Sequence, residues 1–212
     1  MIRYARAGLI SASILALSVS LAIVACSKDS TSPTDPEEVR INITATITQI
    51  NDSDNLLGGN FSVGDQITGY YIYDSTLEDE NALETVGDYR HTTVPYGIFL
   101  ACNGFEFETD PFDVNFLVEI INDHGTSPMD NYLLVSYNNL PLSATRTISL
   151  ITWQLDDDTA EALDNTELGL KPPVLDDWES VFGLNINGED TGGMGYMYLI
   201  RAQVTQVSRG GG

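Results

Sequence analysis

Carboxylates dominate the groups in this chain that could do chemistry: 31 aspartates and glutamates stand against nine lysines and arginines in 212 residues. Acidic pairs in turn-rich stretches could furnish oxygen ligands to calcium, which takes six to eight of them at once. The candidate ligand pairs are Asp52 with Asp54, Asp123 with Asp130, and Asp156 with Asp158. Calcium is the one cofactor these residues suggest. Asp52-Ser53-Asp54-Asn55-Leu56-Leu57 has leucine where an EF-hand loop needs glycine, so that motif is not met. Paired carboxylates would also suit glycoside hydrolysis, but with 31 acids some pair always approaches the needed separation. The two histidines, His91 and His124, lie in polar, loop-like stretches without His-x-x-x-His spacing, so both are expected at the surface. Nucleophile-elbow, zincin, P-loop and dinucleotide-binding spacings are absent, and no serine sits in a catalytic setting. The remaining reactive groups are two thiols, Cys26 and Cys102.

Cys26 has the more informative surroundings. Residues 7–25 are uncharged and rich in Ala, Leu, Ile and Ser; they follow Arg3 and Arg6 and end in Ile23-Val24-Ala25. A positive start, an apolar stretch and a small residue before the cut are the layout of a secretory signal. With cysteine next, the segment resembles the lipobox of bacterial lipoproteins. The resemblance implies that Cys26 receives a diacylglyceryl thioether, becomes the mature N-terminus and is N-acylated. One acyl chain holds a protein only marginally at a bilayer, whereas two or three hold it durably. An ordinary secretory signal and an uncleaved spanning helix remain as alternatives. Ser11, Ser13, Ser18 and Ser20, with no basic cluster after the run, speak against the helix. Ser27 in place of aspartate after the cysteine resembles outer-membrane sorting in cells with two membranes. The expected address is the cell envelope.

Removing residues 1–25 leaves 187, with seven basic residues against 31 acidic ones, a charge of −24. Such a surface repels nucleic acid and anionic lipid. The expected partners are therefore the membrane through the N-terminal lipid, and a glycan or an envelope protein through the domain. If Cys26 is lipidated, Cys102 has no partner for a disulfide and is expected to be a small buried hydrophobe.

The elements that position these groups are strands. Residues 26–38 are polar and proline-bearing, a flexible tether. Then Val39, Ile41, Ile43, Ala45 and Ile47 alternate with polar residues, as in a half-buried strand. Ala45-Thr46-Ile47-Thr48-Gln49-Ile50 is echoed by Ala202-Gln203-Val204-Thr205-Gln206-Val207, which suggests two strands in similar surroundings, neighbours in one sheet. Asn103-Gly104 predicts a two-residue hairpin turn pairing Cys102 with Phe105, Leu100 with Phe107 and Ile98 with Thr109. Further strands are predicted over 67–73, 114–122, 132–137, 146–155, 182–187 and 196–207, with 74–88 an exposed acidic loop. Asp158-Thr159-Ala160-Glu161 and Asp176-Asp177-Trp178-Glu179 have capping-box-like spacing and predict two short helical pieces, separated by Pro172-Pro173. The aromatics Tyr70, Tyr71, Tyr73, Trp153 and Trp178 either fill the core or stack on sugars.

The expected fold is all-β: a single antiparallel β-sandwich over 39–209, jelly-roll-like, with one or two short helical segments between late strands and a disordered tail at 210–212. Residues 61–76, 110–125, 130–140, 151–163 and 172–184 together resemble uncharacterised exported bacterial β-domain proteins of the PEP-CTERM-associated kind. That resemblance implies an exported, surface-associated domain and carries no activity. This chain differs in bearing the lipobox and in ending at Gly212 without a sorting helix. The resulting expectation is a lipid-anchored envelope protein whose domain binds or scaffolds. A carbohydrate-binding module and a carboxylate-dependent glycoside hydrolase are the alternatives.

Overall fold

The computed structural model describes residues 37–126, 128–178, 180–192 and 194–211, and all their side chains except those of 180–182. Cys26 and the signal-like segment lie outside the described residues. The described chain falls within one compact unit, Thr34–Gly212.

Ten strands form: β1 (Glu38–Asn51), β2 (Gln66–Asp74), β3 (Val86–His91), β4 (Gly97–Cys102), β5 (Phe105–Glu108), β6 (Phe116–His124), β7 (Met129–Ser136), β8 (Arg146–Asp157), β9 (Ser180–Asp190) and β10 (Met197–Arg209). All pairings are antiparallel. The hydrogen-bonded ladder is continuous, in the order β3-β6-β7-β8-β9-β10-β1-β2-β4-β5. The domain is thus one ten-stranded antiparallel sheet.

The sheet curls until its halves face each other. Tyr71 on β2 lies 6.0 Å, ring to ring, from Trp153 on β8, and its hydroxyl is 3.0 Å from that of Tyr132 on β7. The inner face carries the alternating residues that the sequence pattern marks. Val39, Ile41, Ile43, Ala45 and Ile47 are buried on β1, and Tyr198, Ile200, Ala202 and Val204 on β10. The two echoed segments are indeed partners, with Ala45 opposite Val204 and Ile47 opposite Ala202. The hairpin has its predicted register, Cys102 opposite Phe105 and Leu100 opposite Phe107, and both Asn103 and Gly104 have positive φ. Ile98 and Thr109 meet just beyond β5 through the Thr109 N–H, which donates to the Ile98 carbonyl at 3.0 Å.

Each edge strand of the sheet, β3 and β5, is tied to the opposite half of the ladder. The Asp110 N–H donates to the Asn138 carbonyl and the Leu140 N–H to the Glu108 carbonyl, tying the end of β5 to the chain after β7. The hydroxyls of Thr109 and Ser136 are 2.8 Å apart and buried. At the end of β2, the Asp74 N–H donates to His91 Nε2 at 2.9 Å.

Three expectations are corrected. Among the described residues there is no α-helix, only a 3-10 turn at Leu175–Asp177 without a side-chain cap. At 158–161 Ala160 takes a positive φ of 56°, which a right-handed helix does not allow, and the Asp157 carboxylate collects the N–H groups of Thr159, Glu161 and Ala162 into a turn. The acidic stretch 74–88 is not all loop, because its last three residues open β3, where Gly87 and Tyr89 face inward. His91 ends that strand and is buried between the rings of Tyr96 and Phe116, not exposed. His124 is exposed at the end of β6.

Candidate functional site

The long connection from β8 to β9 builds the site. Asp157, the last residue of β8, sits on the inner face directly opposite Asp130 of β7. One Asp157 oxygen accepts from the Thr159 N–H (2.8 Å) and hydroxyl (2.6 Å); the other accepts from the Glu161 and Ala162 N–H groups (2.8 and 2.9 Å). Short acidic side chains after a strand commonly organise a turn in this way. Burial alone would raise the Asp157 pKa, but these hydrogen bonds outweigh it and hold it below the ordinary carboxylate value. Asp130 is completely buried; one oxygen accepts from the Asp123 N–H at 3.0 Å and the other from the Leu163 N–H at 2.8 Å.

Three further donors pin the middle of the connection. The Tyr89 hydroxyl donates to the Thr166 carbonyl at 2.8 Å, the Tyr73 hydroxyl to the Gly169 carbonyl at 2.5 Å, and Arg209 Nη1 to the Leu170 carbonyl at 2.8 Å. Burial, with the charges of Asp79 and Glu167, pushes the Tyr89 pKa up to about 12, and burial raises that of Tyr73 as well. Both phenols therefore keep the proton they donate. Pro172-Pro173 then stiffens the chain before the 3-10 turn, and Trp178 returns it to the core. More than 12–15 connecting residues without regular structure are uncommon in a compact domain, and such segments are usually functional.

Between this pinned strap and the sheet lies a cleft of about 420 Å³. Ile120 and Tyr132 line it from β6 and β7. The strap contributes Ala162, Leu163, Gly169, Pro172, Pro173, Val174 and Trp178 as apolar wall, with Asp164, Asn165, Glu167, Lys171 and Asp177 as polar groups. The volume lies within the range of small-molecule sites, which are mostly apolar with a few placed polar groups. Among the described residues no histidine, cysteine or serine lines it; its ionisable groups are Lys171, Tyr132 and the carboxylates of Asp164, Glu167 and Asp177. A larger hollow of about 600 Å³ beside Arg90 and Phe112 is more open to solvent and is walled mostly by loop residues.

The sequence-derived candidates are placed as follows. Asp123 and Asp130 are brought together, but through the Asp123 backbone N–H rather than by two converging carboxylates. Asp156 points to the opposite face of β8 from Asp157 and accepts from Asn131 Nδ2 and Gln154 Nε2. Asp158 is exposed. Asp52 binds the Leu56 and Leu57 N–H groups, a turn device like that of Asp157. Among the described residues no three His, Cys, Asp or Glu side chains cluster as a metal site would require. Of the aromatics, Tyr71, Tyr73 and Trp153 are core; Trp178 is buried but lines the cleft. Tyr70 is half-exposed on the outer face, between the Arg40 guanidinium and Phe99. Burial, and then the neighbouring charge of Glu106, raises the Glu108 pKa.

Sequence reasoning missed Ile120, Tyr132, Leu163 and Lys171 as lining residues. The available signal was the length of the β8–β9 connection, with an Asp-Asp-Asp-Thr turn at one end and Pro172-Pro173 near the other. Among the described residues, no helix is long and apolar enough to cross a membrane. No protein-family model, no curated protein and no solved structure matches this chain.

Proposed function

We propose that this chain is a lipid-anchored cell-envelope protein, at the outer membrane where the cell has two, whose β domain binds a ligand without transforming it. The observation that carries the binding reading is the cleft: a pocket with an apolar wall, roofed by a strap with five side-chain pins, and with no histidine, cysteine or serine among its described lining residues. The anchor rests on Cys26 after Ile23-Val24-Ala25, and the likeness to exported β-domain proteins agrees with it. The packing of Tyr71 against Tyr132 and Trp153 supports reading the curled sheet as sandwich-like in its layering.

A carbohydrate-binding module is the second reading, favoured by Trp178 and Tyr132 beside Asp164 and Asn165 in one cleft. Glycoside hydrolysis has less support. Glu106 and Glu108 flank the buried Phe107 on β5 and do not line the cleft. Two measurements test the proposal. Labelling cells with a lipid precursor should mark the wild type and leave Cys26→Ala unmarked; an unmarked, freely released wild type removes the anchor. Titrating ligands against Trp178 fluorescence should find a binder that yields no product; turnover would instead make the protein an enzyme.

A further inference from the structure

We infer that the cleft under the strap takes a small organic cation: an apolar body carrying one ammonium group. The inference rests on the cleft being a ligand site, and it names the ligand's class. Ile120, Leu163, Pro172 and Val174 offer a surface for the body, and the rings of Trp178 and Tyr132 add polarizable, electron-rich walls. The polar groups are lopsided in charge. Asp164, Glu167 and Asp177 answer to a single cation, Lys171, and none of the three carboxylates forms an ion pair with a described lysine or arginine.

A cleft lined by one sign of charge, with apolar walls, focuses the field and concentrates ions of the opposite sign. Here the whole chain, at −22, adds to that field. An anionic ligand of the same shape would meet three carboxylates with one lysine to offset them. A neutral one would forgo the attraction. An ammonium gains both the carboxylates and the rings.

The test uses one shape with three charges: phenethylammonium, 2-phenylethanol and 3-phenylpropionate, with a neutral oligosaccharide set alongside. Binding is followed on the full domain by Trp178 fluorescence, with Trp178→Phe showing which of the two tryptophans reports. Asp164, Glu167 and Asp177 are all exposed, so Asp164→Asn/Glu167→Gln/Asp177→Asn should fold as the wild type does. The cation is expected to bind, to be weakened by salt, and to lose about tenfold in affinity in the triple variant. The alcohol should bind more weakly than the cation and the carboxylate not at all. Equal binding of alcohol and cation, or a triple variant that binds the cation unchanged, overturns the charge assignment and leaves the cleft as a ligand site. Saccharide binding without amine binding does the same and favours the glycan reading. If none of the probes binds, the cation assignment and the cleft's role as a ligand site fall together.

Discussion

Asp130 and Asp157 stand opposite one another on β7 and β8, and both carboxylates turn onto backbone N–H groups of the same strap. Each carboxylate is met by oriented backbone donors rather than by a basic residue. A sequence-derived calcium candidate, Asp130, thus does the work of a fastener, and the strap it fastens roofs the cleft.

Asp157→Ala strips acceptors from the N–H groups of Thr159, Glu161 and Ala162. The expected cost is about 3 kcal/mol, a drop in thermal midpoint of roughly 6–12 °C. Asp157→Asn keeps the shape but loses one acceptor oxygen, and should fall in between. The native Asp157 carboxylate holds its proton more weakly than the unfolded chain does. Its contribution is therefore full above about pH 4 and is lost as pH falls through the lowered native value. Thermal melts from pH 7 to pH 2 should show a shallower acid limb for Asp157→Asn than for the wild type. Parallel limbs would remove the carboxylate's role.

The hydroxyls of Tyr71 and Tyr132 meet in the core, and burial keeps both phenols protonated by raising their pKa values. Tyr132→Phe leaves the Tyr71 hydroxyl buried without its partner and should cost about 1–3 kcal/mol. Tyr71→Phe should cost a similar amount. The double variant should cost less than the two singles summed, since the second change removes an already orphaned group. Strict additivity in urea melts would mean that the hydroxyls are not coupled.

Much of this fold was legible because period-two burial leaves a direct mark. Val39 to Ile47 alternate without interruption, and Asn103-Gly104 fixes both a turn and a register. Strand β3 was hidden because Gly87, Asp88 and Arg90 interrupt its apolar signal, and only the fold shows Tyr89 and His91 turned inward. The helical expectation at 158–161 found the right residue type and the wrong consequence. An aspartate before N–H groups caps a helix or organises a turn, and the positive φ of Ala160 makes it the turn. The cleft was not legible at all: Ile120, Tyr132 and Trp178 are far apart in the chain, and only the sheet's curl and the strap's pins bring them together.

Cys102 faces the core from the end of β4, where burial, and then the charge of Asp65, raises its thiol pKa. A thiol that is both covered and protonated reacts only when the hairpin opens. In a variant carrying Cys26→Ala, a disulfide reagent should therefore label the native domain at least about 100-fold more slowly than the urea-unfolded chain. Equal rates would mean that the hairpin's inner face is accessible in the native state.

His91 fastens the end of β3 to the end of β2 by accepting the Asp74 N–H at Nε2, which requires that nitrogen to be unprotonated. Burial lowers its pKa, outweighing the nearby Asp74 charge and the backbone hydrogen bonds that favour the charged form. The unfolded chain therefore takes up this proton before the native one does. Stability from His91 is full above about pH 6.5 and declines as pH falls towards the lowered native value, by about 1.4 kcal/mol for each unit of lowering. Acidification also relieves repulsion among the carboxylates, so the useful quantity is the wild type minus a His91→Gln variant, whose amide oxygen can accept the same N–H without titrating. That difference should shrink between pH 7 and pH 5 as the wild type loses its advantage. Should it stay constant across that range, the histidine is not the titrating fastener of this corner.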